Sequence, residues 1–337
     1  MNRTLQSGNI SLQLENQRGN IEVHSHDSRA IRVKLIKKVR AADEAEGKEI
    51  SAQLKIDVEE NGNEYAVSTN REELPGDWQR GLKTDLVVWV PGGTALKIES
   101  RFGSVSVANV AGNHEVTNSN GSVTMRDIQG NIKAENRYGP IEISRVSGNC
   151  EISNKFGPVE IETVGGKTDV ENSYGPLEIR KLTGTASLIS RYGDVVCADL
   201  QNNLSIDAQY CSVKGQNISG DVDLSTSYKD VVLEKVLGSI MVKGKHGDIE
   251  IKNENPPTKS INVDAEYSGV DIKLPKNSNF SLEAKCKYGK ILTNGFESLK
   301  VLESYSGNES HLRGSTSSAG PTITVETSYR DIQLNPS

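Results

Sequence analysis

Apolar and polar positions alternate along most of the chain, and the alternation itself repeats every 18 residues. Gly103, Gly121, Gly139, Gly157, Gly175 and Gly193 mark the period, which then lands on Cys211, Lys229 and Gly247. A second mark falls nine residues later, at Gly112, Gly130, Gly148, Gly166 and Gly184, then Asn202, Gly220 and Gly238. Two residues after the first mark stand Val105, Val123, Ile141, Val159, Leu177, Val195, Val213, Val231 and Ile249. Further apolar residues recur at offsets of four, seven and thirteen from that mark. Alternation with a period of two is the pattern of a strand with one buried face. Glycine or asparagine between strands supplies turns that need positive φ. Each unit therefore predicts two short strands.

Two strands cannot bury their own apolar face, but stacked units can, each strand pairing with its equivalent one unit away. The predicted fold is all-β: a single-stranded parallel β-helix, or solenoid, with 18-residue coils and two strands per coil. At about 4.8 Å per coil the stretch 103–247 would extend roughly 38 Å. The reading requires Ile141, Val159 and Leu177 to be vertical neighbours. Two ladders accompany the stack. Asn118, Asn136, Asn154 and Asn172 precede the first mark by three residues, where equivalent amides can hydrogen-bond to one another. Phe102, Tyr138, Phe156, Tyr174, Tyr192, Tyr210, Tyr228 and His246 directly precede it, and strand parity points these rings inward as corner packing. Beyond residue 250 the spacing loosens; Tyr267, Tyr288, Tyr305 and Tyr329 continue the aromatic corner, and 325–334 reads as a last coil.

The first 93 residues break the pattern and read as an irregular β-rich cap over 1–93, followed by solenoid repeats over 94–337, regular over 103–252 and looser over 253–337. Gly8–Leu12 and Gly19–Val23 look like degenerate coils. Strands are expected at 30–36, 54–58, 64–68 and 85–90, and the helix formers of 41–53 predict one or two helical turns. A cap is what an open solenoid end requires, since a bare sheet edge is adhesive.

Composition agrees. Hydrophobic residues make up 35 % and aromatics 5 %, enough for a thin core only. A formal net charge of −6 argues against a protein that grips nucleic acid or anionic lipid. No apolar run is long enough to cross a membrane as a helix, and the first residues show no leader. Cys150, Cys197, Cys211 and Cys286 have no CxxC spacing and imply neither a zinc site nor a disulfide framework.

The early GNIEV (Gly19–Val23), VVWVP (Val87–Pro91), the repeated RYGPIEI-like units (Arg137–Ile143) and the terminal TSYRDIQL (Thr327–Leu334) are similar to motifs of the bacterial putative-adhesin family of β-strand-repeat domains. The resemblance covers nearly the whole chain. It implies a β-helical solenoid of unknown function on an exported or membrane-anchored bacterial protein, with a cytoplasmic location still open. It implies no catalytic residues.

Candidate chemistry follows the repeat. The period is similar to that of calcium β-rolls, but the aspartates that ligate calcium there are mostly replaced. Glu142, Glu160 and Glu178 occupy one outward position in three successive units, with Arg126 and Arg180 close by to offset them. They read as a solvated, partly paired face or a weak cation site. Arg101, Arg137, Lys155, Arg191 and Lys245 form a basic stripe beside the aromatics, suited to an extended anionic polymer such as an acidic polysaccharide. His24 and His26 lie on one side of a strand but lack a third metal ligand. No metal or cofactor is expected; a glycan or a cell-surface protein is the expected partner. The function expected is a non-enzymatic, adhesin-like binding or spacer module of the cell envelope. The alternative is a polysaccharide lyase or hydrolase, which would need unique charged residues that break the repeat, for which 253–325 has room.

Overall fold

The computed structural model describes residues 2–4, 10–296, 298–317 and 320–337. Gly8 and Asn9 of the first degenerate coil lie outside the described residues, as does the side chain of Tyr305. The chain is a parallel β-solenoid that divides into two compact units, Met1–Gly166 and Lys167–Ser337.

In the first unit the elements run β1 (Asn2–Thr4), β2 (Ser11–Arg18), β3 (Ile21–His26), β4 (Ala30–Val39), α1 (Glu44–Gln53), β5 (Ile56–Asn61), β6 (Glu64–Thr69), a 3-10 turn (Asn70–Glu73), α2 (Gly76–Gly81), β7 (Leu82–Pro91), β8 (Ala95–Phe102) and β9 (Val105–Ala108). Regular coils follow as β10 (His114–Asn120), β11 (Val123–Ile128), β12 (Ile132–Tyr138), β13 (Ile141–Val146), β14 (Cys150–Phe156) and β15 (Val159–Val164). Odd-numbered strands from β9 onward form one parallel sheet, in which Val105, Val123, Ile141 and Val159 are successive register partners. Even-numbered strands from β8 form the other, with Leu96, His114, Ile132 and Cys150 in one column. The columns facing between the sheets are buried, so each coil adds a few aliphatic side chains to one thin core.

The second unit repeats the scheme from β16 (Thr168–Tyr174), β17 (Leu177–Leu182), β18 (Ala186–Tyr192) and β19 (Val195–Leu200) onward. There Leu177, Val195, Val213, Val231 and Ile249 form the equivalent buried column.

Two features of the corners explain the spacing of apolar residues. Within the odd strands the buried positions stand two, four and seven residues after the first mark. The step of three is taken up by a left-handed residue at offset six: Asn109, Asp127, Arg145 and Thr163 in the first unit, then Lys181, Asp199, Asn217 and Lys235 in the second, all with φ between 55° and 61°. At the opposite corner the marker glycines lie almost on top of one another. A Cβ on Gly139, whose φ is 130°, would sit 2.2 Å from the carbonyl oxygen of Gly121 one coil below. Where Cys211 and Lys229 replace the glycine, the residue before it takes the positive φ instead, 57° at Tyr210 and 71° at Tyr228.

The asparagine column is buried as expected, but its amides do not bond to one another. Asn136 Nδ2 donates to the carbonyls of Gly121 and Gly139 at 3.0 and 3.1 Å, and Asn154 repeats this with Gly139 and Gly157. The tight glycine corner leaves these carbonyls inside, where only a side-chain donor can reach them. A ladder not foreseen from the sequence lies one residue after each mark. There Asn131 Oδ1 accepts the Asn149 N–H at 2.8 Å, and in the second unit Asp230 accepts that of Asp248 at 2.9 Å.

Before β8 the chain does not stack in sequence order. β2 pairs with β6 on one side and β8 on the other, and β3 lies between β7 and β9. The coil of residues 11–26 is thus inserted between the coil built by β6 and β7 and the one built by β8 and β9. β4 adds antiparallel to β7, and β5 antiparallel to β6. Helix α1, capped by Asp43 accepting the Glu46 N–H, buries Ile50 with Leu54, Leu74 and Leu82. The second unit mirrors the insertion. Thr322–Ser328 lies between Ile261–Glu266 and Ser281–Lys287, and Ile332–Pro336 between Val270–Leu274 and Ile291–Thr293.

Candidate binding surface

The aromatic column points outward, not inward as strand parity suggested. Parity holds up to the buried Asn at three residues before the glycine; there the backbone turns, and the next two side chains both face solvent. Tyr138, Tyr174, Tyr192, Tyr210, Tyr228, Tyr267, Tyr288 and Tyr329 are each 43–52 % exposed. In the first unit Tyr138 stacks on Phe156 at 5.0 Å. In the second, Tyr174, Tyr192, Tyr210, Tyr228, His246, Tyr267, Tyr329 and Tyr288 follow one another at 4.7 to 5.3 Å between ring centroids. The Tyr329 ring sits between those of Tyr267 and Tyr288, as the inserted coil demands.

This geometry fixes what the column offers. Near-parallel rings cover one another's faces, so solvent meets ring edges and a row of phenol hydroxyls about one coil apart. Sugar rings cannot stack on covered faces, but a polymer with regularly spaced acceptors can run along the hydroxyls. The Tyr210 phenol is held above its ordinary pKa, chiefly by Tyr228 and then by burial and Tyr192.

The basic stripe flanks this row. The Arg137 guanidinium lies 5.2 Å from the Tyr138 ring centre and Lys155 Nζ 5.6 Å from that of Phe156. Arg191 is exposed in β18, one residue before Tyr192. Lys245, by contrast, is tied to Glu266 at 3.0 Å. The acidic row lies on the odd-numbered strands. Glu142 and Glu160 are register partners on β13 and β15, and Arg126 meets Glu142 at 3.1 Å. Glu178 is bonded by Arg180 of its own strand. Surface pairs of this kind are worth little in stability, and they offset Glu142 and Glu178 while Glu160 stays exposed to solvent.

Remaining candidates are occupied structurally. His26 spans its own turn, its Nε2 against the Ala30 carbonyl at 2.6 Å and its Nδ1 accepting the Ser28 N–H. His24 tilts toward Trp89 on the neighbouring β7 strand. All four cysteines are buried and free, and burial pushes the Cys150 and Cys197 thiols up to about 12, far from a nucleophilic thiolate. Between 253 and 325 the described residues form further strands and an antiparallel hairpin, where Glu283 pairs with Arg313 at 2.8 Å. Sequence reasoning missed the contribution of the 3-10 turn and α2, which carry Arg71 and Arg80 beside Arg18, Arg101 and Phe102. Irregular segments have no period to reveal them.

A family model described as Toastrack DUF4097 matches residues 8–230 and again 183–335. No curated protein matches the chain. A solved structure of a "putative cell adhesion protein" from Clostridium sporogenes aligns over 100 % of this chain and 98 % of its own, at 7 % identity and a TM-score of 0.24, too low to carry an argument.

Proposed function

The chain belongs to the Toastrack DUF4097 family, and from that premise and the surface just described we propose that it is a non-catalytic binding module that holds an extended polymer along its aromatic edge. The observation that carries this reading is the unbroken run of stacked, half-exposed rings from Tyr174 to Tyr288 in the second unit. Packing alone does not need so many exposed phenols in one line. Their hydroxyls recur at the coil spacing, and an acidic or strongly hydrated glycan has acceptors to meet them. Many weak contacts in register then sum to useful affinity. Arg137 and Lys155 contribute positive charge beside the rings of the first unit and Arg191 beside those of the second, while Arg126 offsets Glu142 and Arg180 offsets Glu178.

Catalysis finds little support in the same surface. Its carboxylates are multiplied by the repeat, Glu142 and Glu178 are engaged in ion pairs, and the cysteine thiols are buried. The resemblance to bacterial adhesin-like repeats supports a site of work at the cell envelope, and the partner proposed is a glycan or a surface protein.

The test is binding of acidic and neutral polysaccharides to the full chain, compared with a Tyr192→Ser, Tyr210→Ser, Tyr228→Ser variant. Selective capture by the wild type, weakened at least about tenfold in the variant, is the expected result. Equal binding by both proteins, or turnover of a glycan that one point change abolishes, would overturn the reading.

A further inference from the structure

The first unit holds a second, unrepeated feature. A cleft of about 410–490 Å³ would be ordinary on any surface, but the one of ≈ 490 Å³ beside α2 is lined by Arg18, Arg71, Arg80 and Arg101 and by no carboxylate. Arg71 is only 5 % exposed, and its guanidinium is spent on the carbonyls of Leu82, at 2.8 Å, and Gln79. Arg18 donates to the Arg80 carbonyl at 2.7 Å. Among the described residues Arg18, Arg71 and Arg101 have no carboxylate within ion-pairing distance, and Arg80 meets only Asp77, at 3.7 Å. Burial and the proximity of Arg18 both disfavour the charged form of Arg71. A buried guanidinium without a counter-charge is costly, and an anion entering the cleft would relieve that cost.

Phe102 supplies the second half of the site. It is register partner of Arg18 and stands at the head of the aromatic column, where the next coil offers Asn120 and no ring. Among the described residues no ring or cation stacks on it, so its half-exposed ring, unlike those of the column, is open to a ligand. An open aromatic face next to converging guanidiniums matches a pyranose that carries an oxyanion: the apolar C–H face of the sugar packs on the ring, and the carboxylate or sulfate bonds to the arginines. Gln79 borders the same cleft. No acid, base or nucleophile lines it, so it suits binding and not turnover.

We propose that this cleft is a subsite for one acidic sugar residue, bound through Arg18, Arg101 and the face of Phe102, with Arg71 as the fixed positive floor. The proposal deepens the reading of the chain as a binding module and does not depend on the tyrosine column.

The experiment titrates the full chain with methyl β-glucuronide, a glucose sulfate, methyl β-glucoside and inorganic sulfate, followed by NMR or calorimetry. Both acidic sugars should bind, the neutral glycoside at least about tenfold more weakly. Arg18→Ala and Arg101→Ala should each weaken the acidic sugars by about tenfold, and Phe102→Ser should weaken them while leaving inorganic sulfate unchanged. Both exposed arginines and Phe102 can be changed without opening the core, and a melting curve on each variant confirms the fold. Acidic sugars that bind no better than the glucoside, or that ignore all three substitutions, would overturn the proposal. The column variant Tyr192→Ser, Tyr210→Ser, Tyr228→Ser should retain monosaccharide binding, so this inference and the polymer reading fail separately.

Discussion

At the scale of single residues, the coil depends on positions where a side chain is tolerated only at a cost. The left-handed residue at offset six is the clearest. Asparagine and aspartate adopt this conformation readily, and they fill it at 109, 127, 199 and 217. Thr163 does not; its branched β-carbon makes φ of 61° a strained choice on an exposed strand. Thr163→Asn should therefore stabilise the first unit by about 1 kcal/mol, seen as a rise of about 2–4 °C in its melting temperature. No rise would mean that the corner around Thr163 compensates the strain elsewhere. The requirement for this residue was hidden in the sequence. Apolar spacing of two, four and seven showed that the alternation slips by one, yet nothing in the identities of Arg145, Thr163 or Lys181 announces positive φ.

Strands and columns were far more legible. Glycine marks and alternating aliphatics specified the two sheets and their register, because a slip by one residue would turn every apolar side chain to solvent. The outward turn of the aromatics was not legible, since parity stops applying where the backbone leaves the strand. One column also carries a titratable intruder. His114 occupies an inward position between Leu96 and Ile132 and is 2 % exposed, with a single long contact of 3.4 Å to the Val110 carbonyl. Burial lowers its pKa below the ordinary value near 6.5. The unfolded chain then binds a proton that the folded one resists, so stability is full above that pH and falls as the solution is acidified below it. Urea melts between pH 7.5 and 5 should show this loss, and His114→Leu, which restores the residue of the preceding coil, should remove the part of it that His114 causes. A pH dependence unchanged by the substitution would show that the imidazole escapes burial.

For the whole molecule, the surprise is connectivity. Repeats announce stacking but not the order of stacking, and the terminal-looking coils of 11–26 and 322–336 gave no sign that each lies between two others. The cause is that parallel coils all present the same edge, so any coil with the right spacing can be inserted. A consequence concerns the second unit. Removing residues 321–337 would separate Ser281–Lys287 from Ile261–Glu266, which meet only through Thr322–Ser328. The shortened chain should lose the protected amides of 281–293 in hydrogen exchange and expose a sticky edge at 261–266, giving oligomers on gel filtration. Retention of native protection and a monomeric profile would contradict this.

The same interleaving bears on how the molecule carries load. A tether gripping the chain near Ser11 or near Pro336 does not tug on an outermost rung that can peel away alone. It tugs on strands hydrogen-bonded along both flanks, so rupture at either grip must shear two ladders together before anything unravels.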